Sequence, residues 1–270
     1  MRVLVVSMAL VMLASSVPGD ASALGLAPTC QARRRRPRLP RVTAAERRQI
    51  RGRHAAAPAS ETRRWLATTP PPLVLRSSSA PTPFTLTPID PDAGTFDEAA
   101  LDAVARALAY RDGTMHPIHP RLVSLVYGAV RHFRVPYVNV VSGYRSGNPS
   151  SRHGQGRAID FALPGVSDVR LAAWLRPRGF VGVGIYPTSG FVHLDVRARS
   201  YYWRDLTGPR ERSRERQILA ALGPRHDRDA LARGVEPVPD VESSRVDDDD
   251  GVEVEIQLES DRDESDAGVP

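Results

Sequence analysis

From about residue 86 to residue 207 the chain alternates between two hydrophobic periods, and their order predicts an α+β fold. Leu101, Val104, Ala105 and Leu108 recur at helical spacing behind Thr95-Phe96-Asp97-Glu98, which reads as a capping box opening a helix through Ala109. A second helix is expected from Pro120, with Leu122, Leu125, Val126, Ala129, Val130 and Phe133 as its apolar stripe. The period then shortens. "YVNVVSGY" (137 to 144) and "RAIDFAL" (157 to 163) are β-rich runs, and "SDVRLAAWLRPRGF" is a third helix, capped by Ser167 and stopped by Pro177 and Gly179. "VGVGIYP" and "FVHLDV" follow as two strands across a Pro-Thr-Ser-Gly turn, hence a hairpin. These elements predict a small, mostly antiparallel sheet with N-terminal helices and one inserted helix. About 120 residues is a comfortable size for one core.

The flanks read differently. Residues 1 to 23 have a basic start, an apolar run from Val3 to Leu13, Pro18-Gly19, and small residues at Ala21-Ser22-Ala23. That is the layout of a secretory signal peptide, too short for a convincing membrane span. The expectation is cleavage after Ala23 and export to the periplasm or cell envelope, or secretion. Residues 24 to 84, with "RRRRPRLPR" (33 to 41), "TTPPPL" and "SSSAPTP", read as a disordered linker. Its arginines suit an anionic envelope polymer or lipid. Export argues against a specific nucleic-acid partner. Residues 208 to 270 read as a polar to acidic, largely disordered tail, in which "VEVEIQL" alternates like a strand amid dense charge.

Composition narrows the chemistry. The formal net charge is +6, and every basic side chain other than histidine is arginine. Cys30 is the sole cysteine, so no disulfide forms within the chain and stability rests on a core or a metal.

Three residues suit a metal: His153, Asp160 and His193. Two imidazoles and a carboxylate leave a fourth tetrahedral position for water, as in a catalytic zinc site. His153 is expected in a loop, Asp160 on the next strand and His193 on the second arm of the hairpin. Strand alternation sets Phe191, His193 and Asp195 on one face. Set against this, seven histidines in a chain of 270 residues are ordinary. His54 and His226 sit in polar segments, His116 and His119 flank prolines before a helix, and His132 ends one where a cation suits the dipole. None of these needs a chemical role.

"SGYRS" (142 to 146), "SRHGQGRAIDF" (151 to 161) and "GVGIYPTSGFVHLDV" (182 to 196), with Trp203 beyond, resemble the zinc murein endopeptidases related to D-Ala-D-Ala carboxypeptidases. The murein endopeptidase K branch is the nearer likeness, and "YRDGTMHPIHPRLVSLVY" upstream fits it too. The resemblance runs over roughly 107 to 206. It implies zinc held by His153, Asp160 and His193, and it gives Arg145 the task of steadying a polarised carbonyl oxygen. It implies hydrolysis of an amide bond in peptidoglycan stem peptides or cross-links.

The better-known carboxypeptidases place a Glu three residues before the last ligand, or a His two before; Gly190 and Phe191 stand there in this chain. Asp195 is the nearest carboxylate. It reads either as the general base or as an acceptor orienting a ligand histidine. Tyr144, Tyr186, Phe191 and Trp203 are candidates for a substrate groove, with core packing the plainer reading of the last two. The missing Glu leaves a second function open: a zinc-containing cell-wall-binding protein without turnover.

Overall fold

The computed structural model describes residues 42–77 and 80–240. The signal segment, Cys30, the arginine run at 33–41 and the chain from 241, with its "VEVEIQL", lie outside the described residues.

The elements run α1 (Ala44–His54), α2 (Ala59–Ala67), β1 (Leu73–Ser77), β2 (Phe84–Leu86), α3 (Glu98–Ala107), α4 (Pro120–Phe133), β3 (Val138–Ser142), β4 (Ala158–Ala162) and α5 (Asp168–Leu175). A single 3₁₀ turn at Arg176–Arg178 leads to β5 (Val181–Tyr186), β6 (Phe191–Val196), β7 (Tyr201–Arg204), β8 (Arg216–Gln217) and α6 (Leu222–Ala232). All eight strands join one sheet in the order β2-β1-β3-β4-β6-β5-β7-β8. Only β1 with β3 and β5 with β7 are parallel, so the sheet is mostly antiparallel, as the hydrophobic pattern predicts.

Strand alternation gives the sheet two unlike faces. Val138 and Val140, Ile159 and Phe161, Val181 and Val183, and Val192 and Leu194 pack with the stripe of α4 and with α5 in one core. Each such side chain, fully buried, contributes about 1.5–3 kcal/mol. The intervening positions on the central strands hold Asp160, His193 and Asp195 together with a separate cluster of Tyr186, Phe191 and Trp203.

Local signals explain most boundaries. His119 caps α4 by accepting from the Arg121 amide (3.2 Å), and Pro120 occupies its first turn. Ser167 caps α5, as its position suggests. The box at Thr95 is a correction. Asp97 caps α3 by accepting from the Ala100 amide (2.8 Å), because the Thr95 backbone is already bridged to Asp90.

The flanks are the larger correction. Residues 24–84 were expected to be a disordered linker, yet from Ala44 onward that stretch forms α1, α2 and β1 and enters β2. Trp65, Leu73, Leu75 and Leu86 sink into the main core, enough apolar surface to order a segment whose proline-rich punctuation hides its pattern. Thr43 and Glu46 cap α1 reciprocally, a signature visible in "TAAE". Residues 208–240, expected as disordered tail, hold β8 and α6. Asp227 of α6 accepts from the Phe180 amide (2.6 Å) and the Ser200 amide (2.8 Å), tying that helix to the sheet.

Two of these flanking pieces border the polar face. Asn139 donates to the Arg53 carbonyl (2.8 Å) and Arg53 donates to that of Ser189 (3.1 Å), which seats α1 beside the β5–β6 turn. On the other side Val238 is buried, Arg157 donates to the Pro239 carbonyl (2.6 Å), and Arg152 pairs with Asp240 (2.7 Å).

Candidate metal centre

β4 and β6 pair antiparallel with Asp160 directly opposite His193. A β-bulge in β3 then decides what stands beside Asp160. Val140 pairs with Phe161, but Ser142 rather than Val141 pairs with Asp160. The extra residue turns Ser142 and the following Gly143-Tyr144-Arg145 toward the polar face.

His153 comes from the loop between β3 and β4. Gly156 lets that loop close: it has φ +64°, and a Cβ there would lie 2.1 Å from the Pro117 carbonyl oxygen. The folded loop brings His153 Nδ1 to the Gly143 carbonyl (2.6 Å). A carbonyl only accepts, so Nδ1 carries a proton, and in the neutral ring the lone pair falls on Nε2. Nε2 lies 3.2 Å from His193 Nδ1 and 3.4 Å from Asp160 Oδ2.

His193 is held from its other nitrogen. Nε2 stands 3.1 Å from Asp195 Oδ2, and Nδ1 stands 2.9 Å from Asp160 Oδ1. With Nε2 donating to Asp195, Nδ1 is the nitrogen that offers a lone pair once its own proton, shared here with Asp160, is displaced. The three candidate ligand atoms therefore converge, all within 4.8 Å of one another. Relative exposure is 1% for His153, 1% for Asp160 and 3% for His193, so the cluster is closed to bulk water on its protein side.

Burial alone would raise the pKa of Asp160, but the charge of His153, hydrogen bonds from both histidines and Arg145 hold it well below the usual carboxylate range. Burial disfavours the His193 imidazolium. Its bonds to Asp160 and Asp195 outweigh that and lift its pKa to about 10. In the metal-free protein the cluster thus keeps a proton where a divalent cation would put two positive charges. Nitrogen, nitrogen and carboxylate oxygen, with tautomers fixed from behind, form a donor set that fits zinc.

Arg145 Nη2 donates to Asp160 Oδ2 (2.7 Å) and its Nε to Ser142 Oγ (3.1 Å). Its side chain stays one-fifth exposed at the rim of the cluster. Asp195 is fully buried and lies behind His193. Burial raises its pKa, but the Arg197 charge and the bonds from His193 and Arg197 depress it far more. Arg197 Nε donates to Oδ1 (2.6 Å) and Nη2 to Oδ2, so both oxygens are engaged.

The aromatics divide otherwise than by adjacency to turns. Tyr144 is half-buried and stacks on His116, ring centroids 5.2 Å apart, near the loop that carries His153. Tyr186 is buried against Phe191, and its hydroxyl links Trp203 Nε1 (3.0 Å) to Glu215 (3.0 Å). Trp203 lies 5.1 Å from the His193 ring and packs on Gly184. Arg197 and Glu215 escaped the reading of the sequence. For Arg197 the signal was present: the alternation of His193 and Asp195 along β6 carries on to Arg197, one residue past the strand's end.

Comparison with known proteins follows the same residues. Residues 91–201 match the family model described as peptidoglycan L,D-endopeptidase MepK. A probable peptidoglycan L,D-endopeptidase MepK of Haemophilus influenzae is 30% identical over 101 residues, covering 32% of this chain and 54% of that protein. The peptidoglycan L,D-endopeptidase MepK of Escherichia coli K12 is 35% identical over 104 residues, covering 32% of this chain and 56% of that protein. The chain spans about half the length of the curated relatives it matches. No solved structure matches it. The resemblance to murein endopeptidases is thus shown over the segment that carries all five candidate residues.

Proposed function

We propose that the chain is an exported zinc metallopeptidase that hydrolyses amide bonds in peptidoglycan stem peptides or their cross-links. The observation that carries this reading is the convergence of His153 Nε2, His193 Nδ1 and Asp160 within 4.8 Å, inside the segment shared with the MepK proteins. The names of those relatives favour an L,D bond as the one cut.

His153, Asp160 and His193 would hold the zinc. Bound there, it would supply Lewis acidity toward the scissile carbonyl and a water acidified to a pKa of about 7. The protein's own groups do the rest. The Gly143 carbonyl and Asp195 keep each ligand histidine in the tautomer that offers a lone pair inward. Arg145, a fixed charge at the rim, would hold the oxygen on which negative charge develops or a carboxylate of the peptide. Asp195 has both oxygens occupied behind His193, which supports an orienting role over that of general base. For the cell-envelope location, the pattern of residues 1 to 23 is the support. Among the described residues no helix is long and apolar enough to cross a membrane.

The same tied-up Asp195 favours the second reading, a zinc-containing wall-binding protein without turnover. Incubation with purified muropeptides, followed by mass analysis, separates them. Cleavage that chelation abolishes and zinc restores is the expected result. Zinc bound at stoichiometry and retention on sacculi, with no product, would leave only the wall-binding reading.

A further inference from the structure

Strands β7 and β8 close the sheet beyond Trp203, and their antiparallel register sets Arg204 directly opposite Arg216. Both are exposed. Like charges in that position weaken strand pairing. Neither guanidinium has an ion-pair partner among the described residues, and the same holds for Arg214 in the connecting loop.

The stretch 197–216 holds seven arginines against three carboxylates, and each of those carboxylates already accepts a hydrogen bond within the protein. Asp205 accepts from Thr207 N and Oγ1 (2.7 Å each), Ser213 Oγ (2.6 Å) and the Arg214 amide (2.8 Å). Glu211 accepts from the Gly208 amide (3.0 Å), and Glu215 accepts from the Tyr186 hydroxyl (3.0 Å). Arg197 and Arg210 pair in turn with Asp195 and Glu46, which leaves Arg204, Arg214 and Arg216 among the exposed cations of this edge. It is also fixed to the metal face, because Tyr186 bonds Trp203 and Trp203 packs beside His193.

We infer that this arginine edge docks carboxylate-bearing peptides of the peptidoglycan polymer and holds insoluble substrate beside the metal centre. The inference rests on the function proposed above. Stem peptides repeat free carboxylates along the polymer, and a guanidinium fork matches a carboxylate in two bonds. Charge on an edge strand also keeps copies of a protein from pairing, but either sign serves that end. A charge reversal therefore separates the two purposes.

The test compares the full chain with Arg204→Glu/Arg214→Glu/Arg216→Glu in the otherwise intact protein. Retention on purified sacculi is measured against protein concentration and salt, with cleavage of a small soluble muropeptide and zinc content as controls. The arginine run at 33–41 is common to both, so their difference is the share of the edge. About tenfold weaker retention of the reversed protein is expected, the factor three exposed ion pairs supply together. Its muropeptide turnover and zinc should stay unchanged. An Arg→Gln triple should fall between the two, and it carries the test if the reversed protein fails to fold. Equal retention of all folded variants, or binding to a DNA duplex that the reversal weakens while sacculus binding holds, would overturn the inference. Failure of the wild type to cleave the soluble muropeptide would instead count against the peptidase reading itself.

Discussion

Asp195 and Asp160 grip opposite nitrogens of one imidazole: His193 Nε2 is 3.1 Å from Asp195, and Nδ1 is 2.9 Å from Asp160. The ring is held in plane and in tautomer by a carboxylate that itself has no route to solvent. Replacing Asp195 by Asn should therefore weaken zinc binding about 10- to 100-fold, while turnover at saturating zinc persists. Competition with a chromophoric chelator reads the first, and a product assay the second. Unchanged affinity with lost turnover would move Asp195 to proton transfer.

His153→Ala removes the nitrogen that the Gly143 carbonyl aims inward. Zinc content after dialysis should fall to background, with the fold retained because the loop is anchored independently by Ser151 on the Asn148 carbonyl (2.8 Å). Full zinc occupancy would place the centre elsewhere.

The raised pKa of His193 gives the metal-free protein a definite pH response. An imidazolium whose folded pKa is about 10, against about 6.5 unfolded, contributes stability fully present below 6.5 and lost as pH rises through 10. The melting temperature of the chelated protein should fall across that window. Zinc must displace the same proton, so its affinity should rise there. Melting curves with and without zinc should diverge steadily from pH 7 upward; parallel curves would contradict the assignment.

Gly182 and Gly184 make room on β5 for the groups that support His193. A Cβ at Gly182 would lie 1.9 Å from Asp195 Oδ2, and one at Gly184 2.4 Å from the Trp203 indole. Either Gly→Ala change should cost about 1–3 kcal/mol by overpacking, read by urea denaturation. Gly182→Ala should also lower zinc affinity, because the displaced group is the one behind the ligand.

The central elements were legible because each carries its own period and its own stop: the stripe of α4, the Ser167 cap, the hairpin of β5 and β6. The three candidate ligands were singled out by residue type, by strand and loop placement and by the resemblance, and the structure brings their ligand atoms within 4.8 Å of one another. What stayed hidden depends on contacts far along the chain. β1 has too few residues to show a period, and its partner β3 lies more than sixty positions away. α6 is mostly polar and is fixed by one buried carboxylate, Asp227. The bulge at Val141 leaves no mark in composition, yet it decides that Ser142 stands beside Asp160.

The parallel pairing of β1 with β3 bears on where this protein can be cut. Residues 91–201 carry all five candidate residues and match the family model, but a fragment trimmed to them would bare the long edge of β3 and empty the core of Trp65, Leu73, Leu75 and Leu86. The unit that can be transplanted or expressed by itself is therefore wider than the unit that similarity outlines. Strand pairing alone extends it from β1 at Leu73 to β8 at Gln217, and the hydrogen bonds of Arg53 and Asp227 add α1 and α6.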